Sequence, residues 1–388
     1  MGEIELKNGT AAEDGYYFTT SSLSVGYDGN VLIHDIDIKL EKGKILTLIG
    51  PNGAGKSTIL KTIAKYLEIL AGVVYVDGES VAKMTPAQLS KKMSVVLTDR
   101  PKTELMTCKD IVDTGRYPYT GKLGILSEED HRIVQQAMEL VNMWEMRDRD
   151  FMHISDGQRQ RLMLARAICQ DPDIIVLDEP TSFLDIRYQV ELLSLLRSLV
   201  KERNIAVIMS LHELDMAQKI SDKIVCVHGE TIFRYGTPEE IFRSDLIGEL
   251  YSLENGRYNP VFGSVEMGRP DGDPGVFVVA GGGTGSQVFR HLQKEDIPFA
   301  TGVLHENDID YALAYDLASE VISEKPFEPI SDEAFERACA SMRRCGTVVC
   351  CVDGFGSGNA RNADLVELAR ELGKDVIGVS EAMGMESV

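Results

Sequence analysis

Apolar residues fall into short unbroken runs separated by stretches with helical spacing, the alternation expected of an α/β fold. Ile45-Leu46-Thr47-Leu48-Ile49 is a β-prone run. After a glycine-rich turn, Ile59, Leu60, Ile63, Ala64 and Leu67 recur at helical spacing, which predicts a helix over residues 57–67. Residues 94–97, Ile174-Ile175-Val176-Leu177 and residues 205–209 read as further buried strands. An arginine-rich helix with Leu162, Met163, Ala165, Ala167 and Ile168 on its apolar side precedes the turn Asp171-Pro172-Asp173. From Asn255 to Pro274 the chain reads as a loop rich in Gly and Pro. A second α/β pattern then starts at Val276-Phe277-Val278-Val279-Ala280, runs through Gly281-Gly282-Gly283-Thr284-Gly285, and continues as a helix to Leu292. A strand over 347–352, the glycine-rich 353–359, a helix over 363–372 and a strand over 375–379 close this second pattern.

The turn after Ile49 is Gly50-Pro51-Asn52-Gly53-Ala54-Gly55-Lys56-Ser57-Thr58, which completes G-x-x-x-x-G-K-[ST] between a strand and a helix. Glycines at these positions let consecutive backbone N–H groups face one point, and the helix N-terminus adds positive potential there. Lys56 is placed to reach the β- and γ-phosphates, and the Ser57 hydroxyl to bind Mg²⁺. The pattern predicts a nucleoside triphosphate site.

Downstream, Ile174-Ile175-Val176-Leu177 ends in Asp178-Glu179-Pro180-Thr181. A buried strand thus delivers two carboxylates to its C-terminal tip, where ligands sit in open α/β sheets. Asp178 is placed to hold Mg²⁺, and Glu179 to polarise an attacking water as general base. Residues 205–209 end in Ser210-Leu211-His212, which brings a histidine to the same edge.

Between the glycine loop and these carboxylates stands Ile154-Ser155-Asp156-Gly157-Gln158, and Ser182-Phe183-Leu184-Asp185 follows them. Taken in order, the motifs resemble the ATP-binding cassette (ABC) family over about residues 18–262. The resemblance implies a P-loop cassette with a RecA-like core and a helical lobe. It implies that Tyr27 stacks on adenine and that Asn52, Gly53, Ala54, Gly55, Lys56, Ser57 and Thr58 contact the phosphates. Ser155, Asp156, Gly157 and Gln158 then act in trans on ATP held by another subunit, Asp185 communicates across the dimer, and His212 stands near the γ-phosphate. A single cassette therefore needs a second copy of itself in a head-to-tail homodimer.

Two positions depart from that pattern. Asp156 replaces a glycine, and its carboxylate is expected to cap the following helix. Thr98 stands where the family has a glutamine, with Asp99 next to it, and either offers an oxygen to Mg²⁺ or its water.

Asp110-Ile111-Val112-Asp113-Thr114-Gly115-Arg116-Tyr117-Pro118-Tyr119 and Thr181 to Ile186 resemble importer ATPases for ferric siderophores, haem and cobalamin. That likeness implies a transmembrane permease as a separate polypeptide and an external substrate-binding protein acting through it. The competing readings are a soluble non-transport ABC ATPase and a nucleotide-sensing protein with weak hydrolysis. The span between loop and signature holds no sustained heptads, which disfavours relatives built around a long coiled coil.

A net charge of −21 argues against nucleic-acid binding, which relies on Lys and Arg neutralising phosphates. No run is long enough to cross a bilayer, and the first fourteen residues lack the features of a signal peptide. The expectation is a cytoplasmic protein held on the inner face of the membrane through the permease. Seven scattered cysteines without C-x-x-C spacing read as free thiols. The expected organisation is a polar tail over 1–17, the cassette over 18–262, a linker over 263–274 and a Rossmann-like domain over 275–388. The last domain either binds a regulatory ligand at its glycine loops or serves as a dimerisation module. Its first loop lacks both Gly-Lys-Ser and G-x-G-x-x-G, so no second ATPase site is expected.

Overall fold

The computed structural model describes residues 15–97, 105–121 and 124–385. Thr98 and Asp99 lie outside these residues. The chain forms two compact units, Met1–Phe242 and Arg243–Val388.

The first unit contains a six-stranded sheet in the order Thr231–Gly236, Lys223–His228, Ile45–Ile49, Ala206–Ser210, Ile174–Leu177 and Met93–Val96. All neighbours are parallel except the antiparallel edge strand Thr231–Gly236. The three central strands Ile45–Ile49, Ala206–Ser210 and Ile174–Leu177 are buried along their whole length, as their unbroken apolar runs require. Leu48 pairs with Ser210 and Leu177 with Met209, so the register delivers Gly50, Ser210 and Asp178 to one edge.

A second, antiparallel sheet includes Asn30–Ile36, Phe18–Tyr27 and Ala71–Val76. Leu23, Val25, Ile33 and Ile36 share one core with Leu46, Leu48, Val176 and Ile208, and the helix Lys56–Ile63 contributes Ile59, Leu60 and Ile63 to it. This helix stops four residues short of the expected Leu67. Lys65 turns to a φ of +62°, and its ammonium donates to the carbonyls of Val81, Ala82 and Met84, which ends the helical path.

The helical lobe is built from Cys108–Asp113, Glu128–Leu140 and Asp156–Cys169. Each helix starts with a reciprocal capping box, formed by Thr107 with Asp110, Ser127 with Asp130, and Ser155 with Gln158. Arg116 locks the lobe from inside. Its Nε donates to Asp130 Oδ1 at 2.8 Å and its Nη1 to the Cys169 carbonyl at 2.8 Å. One buried guanidinium therefore joins the start of one helix to the end of another.

The second unit contains a five-stranded, wholly parallel sheet. Its order is Glu320–Glu324, Phe299–His305, Val276–Val279, Thr347–Cys350 and Asp375–Gly378. The first strand in the chain lies at the centre and later strands are added on both sides, which is the doubly wound arrangement. Val276 and Val278 face helices Ser286–Lys294 and Ile309–Leu317, while Phe277 and Val279 face Asp332–Arg344 and Arg361–Glu371.

Two expectations about the boundary are corrected. The compact units part between Phe242 and Arg243, not at 262. The segment read as loop and linker contains the hairpin Gly256–Asn259 and Ser264–Met267. It belongs with the second unit, because buried Asn259 donates through Nδ2 to the Ala312 carbonyl and to Asp316 Oδ2. Glu266 accepts two bonds from Arg290. Tyr258, fully buried, anchors the turn despite the surrounding Gly and Pro residues.

Hydrogen bonds from Ser127 and the Arg116 guanidinium hold the Asp130 carboxyl at about 2. Because that lies below the ordinary aspartate value near 3.9, the stabilisation is complete above pH ~4 and fades as pH falls toward 2. Asp130→Asn is therefore expected to destabilise the lobe by about 3 kcal/mol at pH 7. The difference from the wild type should shrink at pH 3. Urea unfolding followed by Trp144, the chain's one tryptophan, reads this lobe directly. An equal gap at both pH values would remove the charge from the explanation.

Candidate functional site

The glycine loop is shaped by close approaches. At Gly50, with φ of +146°, a Cβ would stand 2.2 Å from the Val227 carbonyl oxygen. At Gly55, with φ of +95°, it would meet Ile33 Cδ1 at 2.6 Å. Lys56 opens the helix, and its Nζ donates to the carbonyls of Gly50 at 2.7 Å and Pro51 at 3.0 Å. Burial pulls its pKa down, against the opposing pull of Glu179 and Asp178. A buried ammonium held by two carbonyls is a point charge ready to meet a better anion.

The strand tips converge on Asp178, whose side chain is buried. Its Oδ1 accepts from Ser57 Oγ at 2.9 Å and from Ser210 Oγ at 2.8 Å. Ser210 Oγ also accepts the Glu179 backbone N–H at 2.9 Å. Glu179 sits at a φ of +50°, with Oε1 2.6 Å from His212 Nε2 and Oε2 accepting from Ser182 Oγ at 3.2 Å. Ser57 and Asp178 present neighbouring hard oxygens, a donor set that fits Mg²⁺ bound together with a triphosphate. The third metal position expected from the sequence, Thr98, lies outside the described residues.

Tyr27, Asn52, Gly53, Gly55, Lys56, Ser57, Thr58 and Glu179 line one cavity of about 290 Å³. Tyr27 closes the strand Phe18–Tyr27, and its hydroxyl is 3.0 Å from Thr58 Oγ1, while the side chain stays half exposed. Its ring therefore stands at the cavity mouth. Behind the cavity lining stand two residues that the sequence reading missed. Ser210 bridges both acidic residues, and Glu213 accepts from Thr181 Oγ1 at 2.9 Å and from Gln189 Nε2. Ser210 stands just before His212 at a strand end, the one sequence signal that pointed toward it.

The signature residues 155–158 do not line this cavity. Ser155 caps the helix Asp156–Cys169, with its Oγ accepting from the Gln158 N–H at 3.3 Å. This corrects the expectation for Asp156. Its carboxylate is the first residue inside the helix and accepts from Arg159 Nη1 at 2.8 Å. A Cβ on Gly157 would meet Leu184 Cδ2 at 3.2 Å, so the signature lies against the segment before Asp185. Asp185 caps Ile186–Arg203 by accepting the Tyr188 N–H at 3.1 Å.

In the second unit, the glycine loop is filled by its own carboxylates. The Gly282 N–H donates to Asp308 Oδ2 at 2.7 Å and the Gly285 N–H to Asp310 Oδ2 at 3.0 Å. Asp310 is fully buried, which raises its pKa, and it also accepts from Ser286 Oγ. Two acidic side chains at these amides oppose a phosphate there by direct repulsion.

Comparison with known proteins adds a family. The model described as "ABC transporter" matches residues 33–182. The MJ0874 family model matches residues 299–387. The uncharacterized ABC transporter ATP-binding protein MJ0873 of Methanocaldococcus jannaschii is 42% identical over 286 residues, covering 74% of this chain and 99% of that protein. The iron(3+)-hydroxamate import ATP-binding protein FhuC of Bacillus subtilis is 36% identical, covering 61% of this chain and 88% of its own length. Among solved structures, a transporter assigned to the metal-chelate type, in an inward-facing conformation, aligns with a TM-score of 0.55 at 26% identity. That alignment covers 62% of this chain and 90% of the other.

Lys56→Ala removes the loop's buried ammonium together with its bonds to the Gly50 and Pro51 carbonyls. Calorimetric titration with ATP and Mg²⁺ should show affinity reduced by about a hundredfold. Wild-type affinity would mean that the loop is not the triphosphate site.

Proposed function

This chain belongs to the ABC transporter ATP-binding family, an ATPase family coupled to transport, and on that premise we propose that it energises an importer of metal chelates. The cargo class is a ferric siderophore, haem or cobalamin, carried through a separate permease. The name of the Bacillus relative, the type of the solved transporter and the 110–119 segment support this reading.

The observation that carries the chemistry is the 2.6 Å contact between Glu179 Oε1 and His212 Nε2, beside the Ser57–Asp178–Ser210 chain. ATP enters with its base against Tyr27 and its phosphates in the loop formed by Asn52, Gly53, Ala54, Gly55, Lys56, Ser57 and Thr58. Lys56 exchanges its two carbonyl partners for phosphate oxygens. Mg²⁺, held by Ser57 and Asp178, neutralises charge on the triphosphate when bound. Glu179 takes a proton from water while the water oxygen bonds to the γ-phosphorus. The bond from that phosphorus to the bridging oxygen breaks, leaving ADP and phosphate. His212 orients the Glu179 carboxylate, and Ser210 fixes the backbone from which that carboxylate projects.

Residues 155–158 lie outside the cavity, which supports the reading that a second copy, arranged head to tail, supplies its own Ser155, Asp156, Gly157 and Gln158. A groove of about 580 Å³, rimmed by Tyr66, Tyr117 and Pro118 and floored by Leu89 and Met93, suits an apolar permease segment. No described helix is long and apolar enough to cross a membrane. In this reading the permease anchors the pair to the inner face of the membrane, and the substrate-binding protein acts from the other side.

Glu179→Gln preserves Lys56, Ser57 and Asp178 while removing the base. Turnover should fall by at least about a hundredfold. An ATP-bound dimer should then accumulate on size exclusion. Undiminished turnover would take Glu179 out of the general-base role. A chain ending at Phe242 carries every residue of this cavity, and it should bind ATP with unchanged affinity. A folded protein of that length without ATP binding would place part of the site in the second unit.

A further inference from the structure

Asp156 places a carboxylate in the segment that, in the reading above, closes on a triphosphate held by a second copy. Left bare, that charge would repel the nucleotide. It is not bare. Asp156 Oδ1 accepts from Arg159 Nη1 at 2.8 Å, and the Arg159 side chain is only 15% exposed. The guanidinium carbon lies 5.3 Å from the centre of the Phe151 ring, and Nη2 is 3.5 Å from the Ile154 carbonyl oxygen. A cation in the first turn of a helix opposes the helix dipole, so the helix alone does not favour arginine here. Arg161, two residues further along the helix, lies over the Tyr188 ring.

We propose that Arg159 is a positioning residue that pins and neutralises the Asp156 carboxylate, so that Ser155 and Gln158 can meet the triphosphate of a second copy. The arrangement keeps the negative side chain and cancels its effect where a glycine would carry no charge at all. This rests on the head-to-tail reading, and the test separates the two.

Steady-state ATP hydrolysis by the full chain measures the effect. Arg159→Gln keeps a planar group over Phe151 but removes the charge, and it should raise KM for ATP about tenfold with kcat within about twofold. The difference should narrow as salt rises, because an exposed charge is screened over about 10 Å at 0.1 M. Arg159→Lys keeps the charge and should stay near the wild type, which guards against a folding defect in the Gln variant. Combining Arg159→Gln with Asp156→Gly should return KM to that of Asp156→Gly alone. A double variant as impaired as Arg159→Gln, a Lys variant as impaired as Gln, or an unchanged KM in Arg159→Gln would each overturn the proposal. Ser155→Asp retains a helix cap but adds an unpaired carboxylate to the same segment. If it turns over like the wild type, the head-to-tail reading itself fails. If it is inactive while Arg159→Gln is normal, only the role of Arg159 fails.

Discussion

Everything in the catalytic unit hangs on one buried carboxylate. Asp178 accepts hydroxyl hydrogens from Ser57 and Ser210, and so ties the helix after the glycine loop to two neighbouring strands. A buried carboxylate needs such partners, since an unpaired charge in a low-dielectric interior is expensive. The same requirement that stabilises the fold fixes the relative positions of the glycine loop, Asp178 and Glu179. The parallel register supplies the rest, because it places Ser210 level with Leu48 and therefore beside the loop.

Local chemistry was legible in the sequence where a residue's role depends on its immediate neighbours. The glycine loop and the strand ending in Asp178 and Glu179 fall in this class. Roles that depend on register or on distant side chains were not legible. Ser210 becomes a bridge only once its strand pairs with Ile174–Leu177 and Ile45–Ile49. The end of the helix Lys56–Ile63 was missed because Lys65 finds its carbonyl partners sixteen to nineteen residues away. Asp156 was assigned the wrong partner because Ser155 and Asp156 are both good capping residues, and the better-placed hydroxyl took the position.

The domain boundary failed for a related reason. Gly and Pro between 255 and 274 permit turns, but they do not say what those turns pack against. Asn259, Tyr258 and Glu266 find their partners on Ile309–Leu317 and Ser286–Lys294, which no local pattern announces. The doubly wound sheet itself was anticipated from two strand–glycine–helix units, while its strands Phe299–His305 and Glu320–Glu324 were not.

The carboxylates of Asp308 and Asp310 give the chain an asymmetry of a different kind. One protein carries two glycine loops after central strands, yet only the first is furnished with a lysine, and the second is occupied by its own acids. An anion arriving at the second loop would meet amides already bonded and two carboxylates already seated on them.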